Sequence, residues 1–265
     1  MNDLFDLRGR IALVTGGYRG IGRMIAEEFV ERGVRTYITG RNADGVMKAA
    51  EELSAKGECI GIPNDLGTIE GVTELAEAIA SRESQLDILI NNAGTGWHAP
   101  LDEFPEKGWD KTFNLNIKAP FFLTQKLRPL LAKAGSLDRP AKVINISSTD
   151  SLYVPTDESY PYLASKAGLN HLTRKLANRL AKDHSRVNAI APGAFESEMN
   201  VAAVEHPDSI AAFVPAGRIG RPSDIAGTCV YMVSSAGDYL VGVVLPVDGG
   251  ATQALPVAPM HQNED

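Results

Sequence analysis

The 265-residue sequence predicts an α/β fold: a doubly wound parallel sheet of about seven strands, with helices on both faces, in a single domain. Three observations predict it. Short segments that are apolar throughout alternate with longer amphipathic ones, and strands of that kind belong to parallel sheets covered on both sides. Right-handed crossovers between such strands wind the chain in both directions from the centre. The breaks at Gly135–Pro140, Val154–Glu158 and Glu205–Asp208 are loop-sized, so no linker divides the chain.

The elements are expected in this order. Arg10–Thr15 is a buried strand and Gly20–Glu31 a helix; Arg35–Thr39 and Ala43–Lys56 repeat the pair. Glu58–Ile62 is a third strand, Thr68–Arg82 a third helix and Leu86–Asn91 a fourth strand. A long helical stretch covers about Glu106–Lys133, followed by a strand at Lys142–Ser147, a strong helix at Tyr162–Asp183 and a sixth strand at Arg186–Ala191. Pro222–Ser235 is a late helix and Tyr239–Val247 the last strand. The domain is taken as 1–250. Residues 251–265, Pro-rich and then polar, form a tail.

Composition excludes several classes. The net charge of −7 disfavours phosphate-backbone binding, which needs clustered cations, so no nucleic-acid partner is expected. The N-terminal MNDLFDLRGR lacks an apolar signal core, and no run approaches 18 apolar residues, so neither export nor a membrane span is expected. Cys59 and Cys229 sit in apolar surroundings without a CxxC or His partner; they are read as core residues of a cytoplasmic protein, and no metal site is expected.

The first strand runs into Thr15-Gly16-Gly17-Tyr18-Arg19-Gly20-Ile21-Gly22, and a helix follows at once. Glycines permit positive φ and a close backbone approach, and the open N–H groups and dipole of a helix start attract phosphate. A strand–glycine turn–helix unit is therefore read as a dinucleotide site, the mark of a Rossmann-type domain. The TGxxxGxG spacing resembles that of the short-chain dehydrogenase/reductase family. Asn91-Asn92-Ala93-Gly94 after the fourth strand, Asn114-Leu115-Asn116, Pro192-Gly193 after the sixth strand and Asp248-Gly249-Gly250 also match its motifs, in order, from Thr15 to Gly250.

The turn after the second strand selects the dinucleotide: an acid there binds a ribose 2′-hydroxyl, whereas a base accommodates a 2′-phosphate. Here the strand ends Ile38-Thr39-Gly40-Arg41-Asn42, without an acid. Arg41, joined by Arg19 from the glycine loop, offers charged donors to a phosphate, which points to NADP(H) rather than NAD. The resemblance further implies adenine contacts from Asp65 and Leu66, and nicotinamide-side contacts from Asn92, Ala93, Gly94, Pro192, Gly193, Phe195 and Ser197. The segment Ala194-Phe195-Glu196-Ser197 departs from the family's usual pattern after Pro-Gly.

Tyr162 and Lys166 are four apart on a predicted helix and share a face. A Tyr hydroxyl titrates near 10, and a neighbouring ammonium, together with the cation of an oxidised nicotinamide, is expected to lower that value towards neutrality. Such a tyrosine exchanges a proton with a carbonyl or alcohol oxygen. Ser147 and Ser148 follow the fifth strand, at the carboxyl edge of the sheet where ligands bind. By resemblance, Ser148 holds the substrate oxygen, Asn116 completes a tetrad by holding a water that relays protons to Lys166, and Lys166 also reaches the nicotinamide ribose. Thirteen residues separate Ser148 from Tyr162, one more than the family's habit, so Ser147 and Thr149 stay open as alternatives. Tyr160, with no Lys four residues on, is read as a pocket wall.

The resulting expectation is hydride transfer between nicotinamide and a carbonyl or alcohol. A nucleotide-sensing binder of the same fold usually lacks the Tyr or the Lys. Epimerases of the superfamily need an extra substrate domain, and enoyl reductases space Tyr and Lys more widely. The stretch around Tyr160–Leu169 resembles the branch containing the β-ketoacyl reductase of rhamnolipid synthesis. A substrate lid is expected at about 196–217, where Met199, Val201, Phe213 and Val214 suit an apolar acyl chain. The alternative is a sugar or polyol oxidoreductase, with His98, Glu196, Glu198 and Asn200 pairing hydroxyls. The family resemblance implies a homo-oligomer, a dimer or tetramer.

Overall fold

The computed structural model describes residues 3–196 and 204–254. Seven parallel strands form one sheet in the order β3-β2-β1-β4-β5-β6-β7. They are β1 (Ile11–Thr15), β2 (Arg35–Gly40), β3 (Cys59–Pro63), β4 (Ile88–Asn91), β5 (Ala141–Ile146), β6 (Ser185–Pro192) and β7 (Val244–Val247). The chain winds outward from β1 to β3, then crosses back and winds the other way from β4 to β7. The reversal between β1 and β4 leaves a crevice at their carboxyl ends, where open α/β sheets take ligands.

Successive residues of each strand point to opposite faces, so an all-apolar strand feeds two cores. On β4, Ile88 and Ile90 join one cluster, while Leu89 joins the other. Helices α1 (Gly20–Glu31), α2 (Ala43–Ser54) and α8 (Pro222–Val233) cover the first face through Ile25, Phe29, Val46, Leu53, Ile225 and Val230. Helices α3 (Ile69–Ala80), α5 (Ala119–Ala134) and α6 (Tyr160–Leu180) cover the second through Leu75, Ile79, Leu123, Leu127 and Ala177. Fully burying one such side chain contributes about 1.5–3 kcal/mol. A polar ladder crosses the second face: Asn91 Nδ2 donates to Asn145 Oδ1 (2.8 Å), and Asn145 Nδ2 to Thr173 Oγ1 (2.8 Å), tying β4 and β5 to α6.

The predicted long helix over 106–133 is three pieces: α4 (Glu106–Phe113), a π turn at Asn114–Lys118, and α5. A π turn inserts a residue into the helical ladder and recurs at functional sites. Helix α6 begins at Tyr160 rather than Tyr162, with Pro161 in its first turn, where a missing N–H costs nothing. The last strand is shorter than expected, because Tyr239–Val243 approach β6 as a loop. A short helix, α7 (Pro207–Ala211), lies within the expected lid, whose residues 197–203 fall outside the described ones.

Candidate active site

At the crevice, β1 delivers the glycine turn. Gly16 and Gly20 have φ of +65° and +52°, the left-handed region that favours glycine. A Cβ on Gly16 would sit 2.9 Å from Asn92 Nδ2, and one on Gly22 would strike both Asn92 Nδ2 and the Gly16 carbonyl. Thr15 fastens the turn to the strand beside it: its Oγ1 accepts from the backbone N–H of Asn92 and of Ala93, both at 2.9 Å. Helix α1 starts there with no side-chain cap and no acid in its first turn, so its positive end is left for an anion. A bare, glycine-lined helix start of this kind fits a dinucleotide pyrophosphate.

The Tyr18 ring lies on Gly40, at the end of β2, and against Gly45 of α2. The Arg19 guanidinium stacks over that ring at 5.2 Å, which brings Arg19 towards the turn carrying exposed Arg41. Asn42 is taken up in capping α2, its Oδ1 accepting from Gly45 N at 3.0 Å. Asp65 Oδ1 accepts from Gly67 N at 2.9 Å, and the Leu66 side chain is buried in the core. The Phe195 ring is likewise turned into the core against Gly220, so a cofactor contact from Leu66 or Phe195 falls to the backbone. At the end of β6, Gly193 lets Asp248 approach so closely that a Cβ would lie 2.8 Å from the Asp248 Cα. Ser197 lies outside the described residues.

Asn116, Ser148, Tyr162 and Lys166 are drawn from three segments: the π turn, the turn after β5, and α6. The π turn aims the buried Asn116 side chain at the loop after β4: its Oδ1 accepts from Thr95 N (2.9 Å), and its Nδ2 donates to Thr95 O (2.9 Å) and Ser165 Oγ (3.0 Å). A Cβ on Gly94 would lie 3.3 Å from Asn116 Oδ1 and 3.5 Å from Lys166 Nζ, so Gly94 holds open the space between them. Lys166 Nζ donates to the Ile146 carbonyl at 2.8 Å and stands 5.6 Å from the centre of the Tyr162 ring. Ser148 Oγ accepts from the Asp150 backbone N–H at 3.1 Å, and Ser148 is near enough to Tyr162 to influence its ionisation. Ser147 turns away, its hydroxyl pointing to the Lys166 carbonyl (3.3 Å) and Ser151 Oγ (3.2 Å), and Thr149 is buried at the start of a 3₁₀ turn.

One electrostatic expectation is corrected. Lys166 does not bring Tyr162 towards neutrality in this chain; burial pushes the phenol up to about 12, and Ser148 opposes this only in part. The carboxylates of Asp150 and Asp157 raise it further. Burial also pushes the Lys166 ammonium down, to about 8, with Asp150 pulling the other way. Desolvation is the leading cause for both groups. The cysteines play no part: Cys59 is pushed up to about 11 by burial, Cys229 higher still by the same cause, and both stay thiols.

Sequence patterns did not single out Thr15, Thr95 or Ser165, whose hydroxyl and backbone groups hold the site residues in place, nor Asp150 and Tyr153 behind Ser148. Thr15 was within reach as the first residue of the glycine motif. The others carry no spacing signal, because loop folding alone brings them in.

Fold, glycine turn and Tyr–Lys face together define a nucleotide-dependent oxidoreductase. The profile of the enoyl-(acyl carrier protein) reductase family matches residues 16–252. The chain is 44% identical over 253 residues to the rhamnolipids biosynthesis 3-oxoacyl-[acyl-carrier-protein] reductase of Pseudomonas aeruginosa, covering 94% of this chain and 99% of that one. It is 36% identical over 261 residues to the gluconate 5-dehydrogenase of Gluconobacter oxydans, covering 96% and 98%. The structure of the Pseudomonas reductase in its NADP active-site complex superposes with a TM-score of 0.91 at 43% identity, covering 95% of this chain and all of that one. A gluconate 5-dehydrogenase of Burkholderia cenocepacia, in complex with NADP and tartrate, gives 0.87 at 32% identity, covering 96% and 99%. The protein belongs to the short-chain dehydrogenase/reductase family and is an oxidoreductase of carbonyl or alcohol groups.

Proposed function

We propose that this protein reduces the ketone of a β-ketoacyl thioester or similar β-keto ester, with NADPH as reductant. The observation that carries the reading is the character of the carboxyl edge of the sheet. Three loops there expose apolar side chains: Leu101 (65% exposed) after β4, Val154 (88%) after β5 and Phe213 (78%) after β6. Leu152, Tyr153, Val154, Leu163 and Ala164 also line a cleft of ≈ 360 Å³ next to Asp150. An acyl chain laid on such a surface gains about 0.8 kcal/mol per buried CH₂. Asp150 and Asp157, both close enough to raise Tyr162, repel the carboxylate of a sugar acid.

In this reading NADPH, when bound, supplies the hydride, and Arg19 and Arg41 hold its 2′-phosphate. Tyr162 gives its phenolic proton to the ketone oxygen, and Ser148 holds that oxygen. Lys166 and Asn116 support the proton supply behind Tyr162. The sugar-acid alternative has one favourable observation, the whole-length similarity to gluconate 5-dehydrogenases. We place the protein in the cytoplasm as a homo-oligomer, dimer or tetramer; among the described residues no helix is long and apolar enough to cross a membrane.

Steady-state assays over a C4–C10 β-ketoacyl series, beside 5-ketogluconate and with NADPH or NADH, test the reading. Each of the first methylenes is expected to raise kcat/KM about two- to four-fold, from about 0.8 kcal/mol discounted for incomplete burial, and NADPH to bind more tightly than NADH. A flat chain-length profile with good 5-ketogluconate turnover would sink the acyl proposal.

A further inference from the structure

The three loops that bound the substrate side of the sheet's carboxyl edge, 92–105, 147–159 and 193–217, contain no Lys and no Arg. The first two hold five carboxylates, Asp102, Glu103, Asp150, Asp157 and Glu158, and the described part of the third adds Glu196, Glu205 and Asp208. Hydrogen bonds gather the acids of the first two loops at the rim of the site. Glu158 Oε1 accepts from the Leu101 N–H (3.2 Å) and the Tyr160 hydroxyl (2.9 Å), and the Glu158 carbonyl accepts from the Ala99 N–H (3.3 Å). That strap brings the 3₁₀ turn Leu101–Glu103, with Asp102 and Glu103 exposed, against the start of α6. Asp157 Oδ2 meets His98 Nε2 at 3.0 Å. A Cβ on Gly96 would lie 3.8 Å from His98 Cε1 and 3.8 Å from Tyr162 Cδ2, so the imidazole paired to Asp157 flanks the same glycine as the Tyr162 ring. Asp150 is the one charged residue lining the apolar cleft beside them.

The cations bordering these loops are committed. Lys166 Nζ is buried on the Ile146 carbonyl at 2.8 Å, and Lys111 of α4 lies over the Trp97 ring at 5.4 Å. Arg218, the first cation after the third loop, is held by both Asp224 oxygens at 2.6 and 3.0 Å. Of the two histidines, His98 already faces Asp157, and His206 stands in sequence between Glu205 and Asp208. The loops therefore present one sign of charge, and a cleft lined that way draws in or turns away an ion by its sign. One methylene separates the ketone of a β-keto ester from its ester carbonyl. With the ketone at Tyr162, whatever is attached to the ester leaves through this rim. We infer that the rim is a charge filter: it admits a β-keto ester or thioester whose far end is uncharged, and turns away the same acyl group on a phosphate-ended handle such as coenzyme A. The inference rests on the proposed reduction of a β-keto ester and names the part of the substrate that reading leaves open.

The test compares one β-ketoacyl group as its N-acetylcysteamine thioester, which is uncharged, and as its coenzyme A thioester, both with saturating NADPH at low and at high salt. At low salt kcat/KM for the uncharged ester is expected to exceed that for the coenzyme A ester by about ten-fold or more, the low end for a cleft of one sign. Added salt is expected to raise the coenzyme A value several-fold and leave the uncharged one level, because screening removes repulsion but not a steric barrier. Asp102→Lys combined with Glu103→Lys, on the exposed turn, is expected to raise the ratio of the coenzyme A value to the uncharged one several-fold and to flatten its response to salt. A coenzyme A ester used as well as the uncharged one, or one whose kcat/KM falls with salt, overturns the filter and leaves the proposed reaction standing. Turnover of neither ester, beside good turnover of 5-ketogluconate, removes the β-keto ester reading and the filter with it.

Discussion

At the scale of single residues, the proposed proton donor is a tyrosine whose surroundings favour the proton-bearing state. With the phenol pushed up to about 12, Tyr162 is protonated throughout the neutral range. The sign follows directly: reduction uses the protonated form, so its rate holds at neutral pH and falls only as pH climbs towards that raised value, whereas oxidation gains over the same interval. Tyr162→Phe keeps the ring and loses the proton. It is expected to bind cofactor nearly as wild type and to lose about 10²–10⁴ in kcat, the usual contribution of a positioned acid. Cofactor titration and steady-state rates on one preparation check this, and a variant retaining a tenth of wild-type kcat would remove Tyr162 from the assignment.

Among elements, the strand–turn–helix unit at Thr15–Gly22 and the Tyr–Lys face of α6 were legible in the sequence, because glycine spacing and a four-residue helical repeat each encode geometry locally. The π turn at Asn114–Lys118 was not: its residues are ordinary helix formers, and what unwinds the ladder there is the tertiary bond pattern of Asn116 with Thr95 and Ser165. The acidity of Tyr162 was misjudged for a related reason. Sequence places Lys166 on the same face but says nothing of how dry that face is, and dryness sets the sign. The role of Gly22 can be tested at this scale. Gly22→Ala drives a methyl into Asn92 Nδ2 and the Gly16 carbonyl, so the loop must open. Cofactor affinity is expected to fall at least about ten-fold, equivalent to 1.4 kcal/mol. Isothermal titration would show this, and wild-type affinity would mean that the loop is not where the pyrophosphate lies.

Taken whole, the sheet divides its labour between its two edges. Its carboxyl edge carries the proposed site, and its amino edge carries buried charge. There Lys142, fully buried at the start of β5, pairs with Asp238 Oδ1 at 2.7 Å and donates to the Ser234 carbonyl at 3.1 Å. Arg186 Nε of β6 donates to the Asp238 carbonyl at 3.0 Å. This knot joins the middle of the sheet to the segment that follows α8. Burial lowers the Lys142 pKa and Asp238 only partly restores it, so the unfolded chain binds the proton more tightly than the folded one. By linkage, this group's contribution therefore improves as pH rises from its depressed folded value towards the unfolded one. Removing the partner is worse than removing both charges, because it strands a buried ammonium. Asp238→Asn is expected to cost about 3 kcal/mol at neutral pH, the low end for a broken buried pair because Asp238 keeps some exposure. That corresponds to a melting temperature lower by about 6–12 °C. The deficit should shrink by about pH 9.5, nearer the ordinary lysine value. The double variant Lys142→Met with Asp238→Asn, which removes both charges, is expected to cost less than Asp238→Asn alone. Thermal melts of the three proteins at both pH values decide the matter; an Asp238→Asn protein as stable as the wild type at neutral pH would show that the ammonium finds its solvation elsewhere.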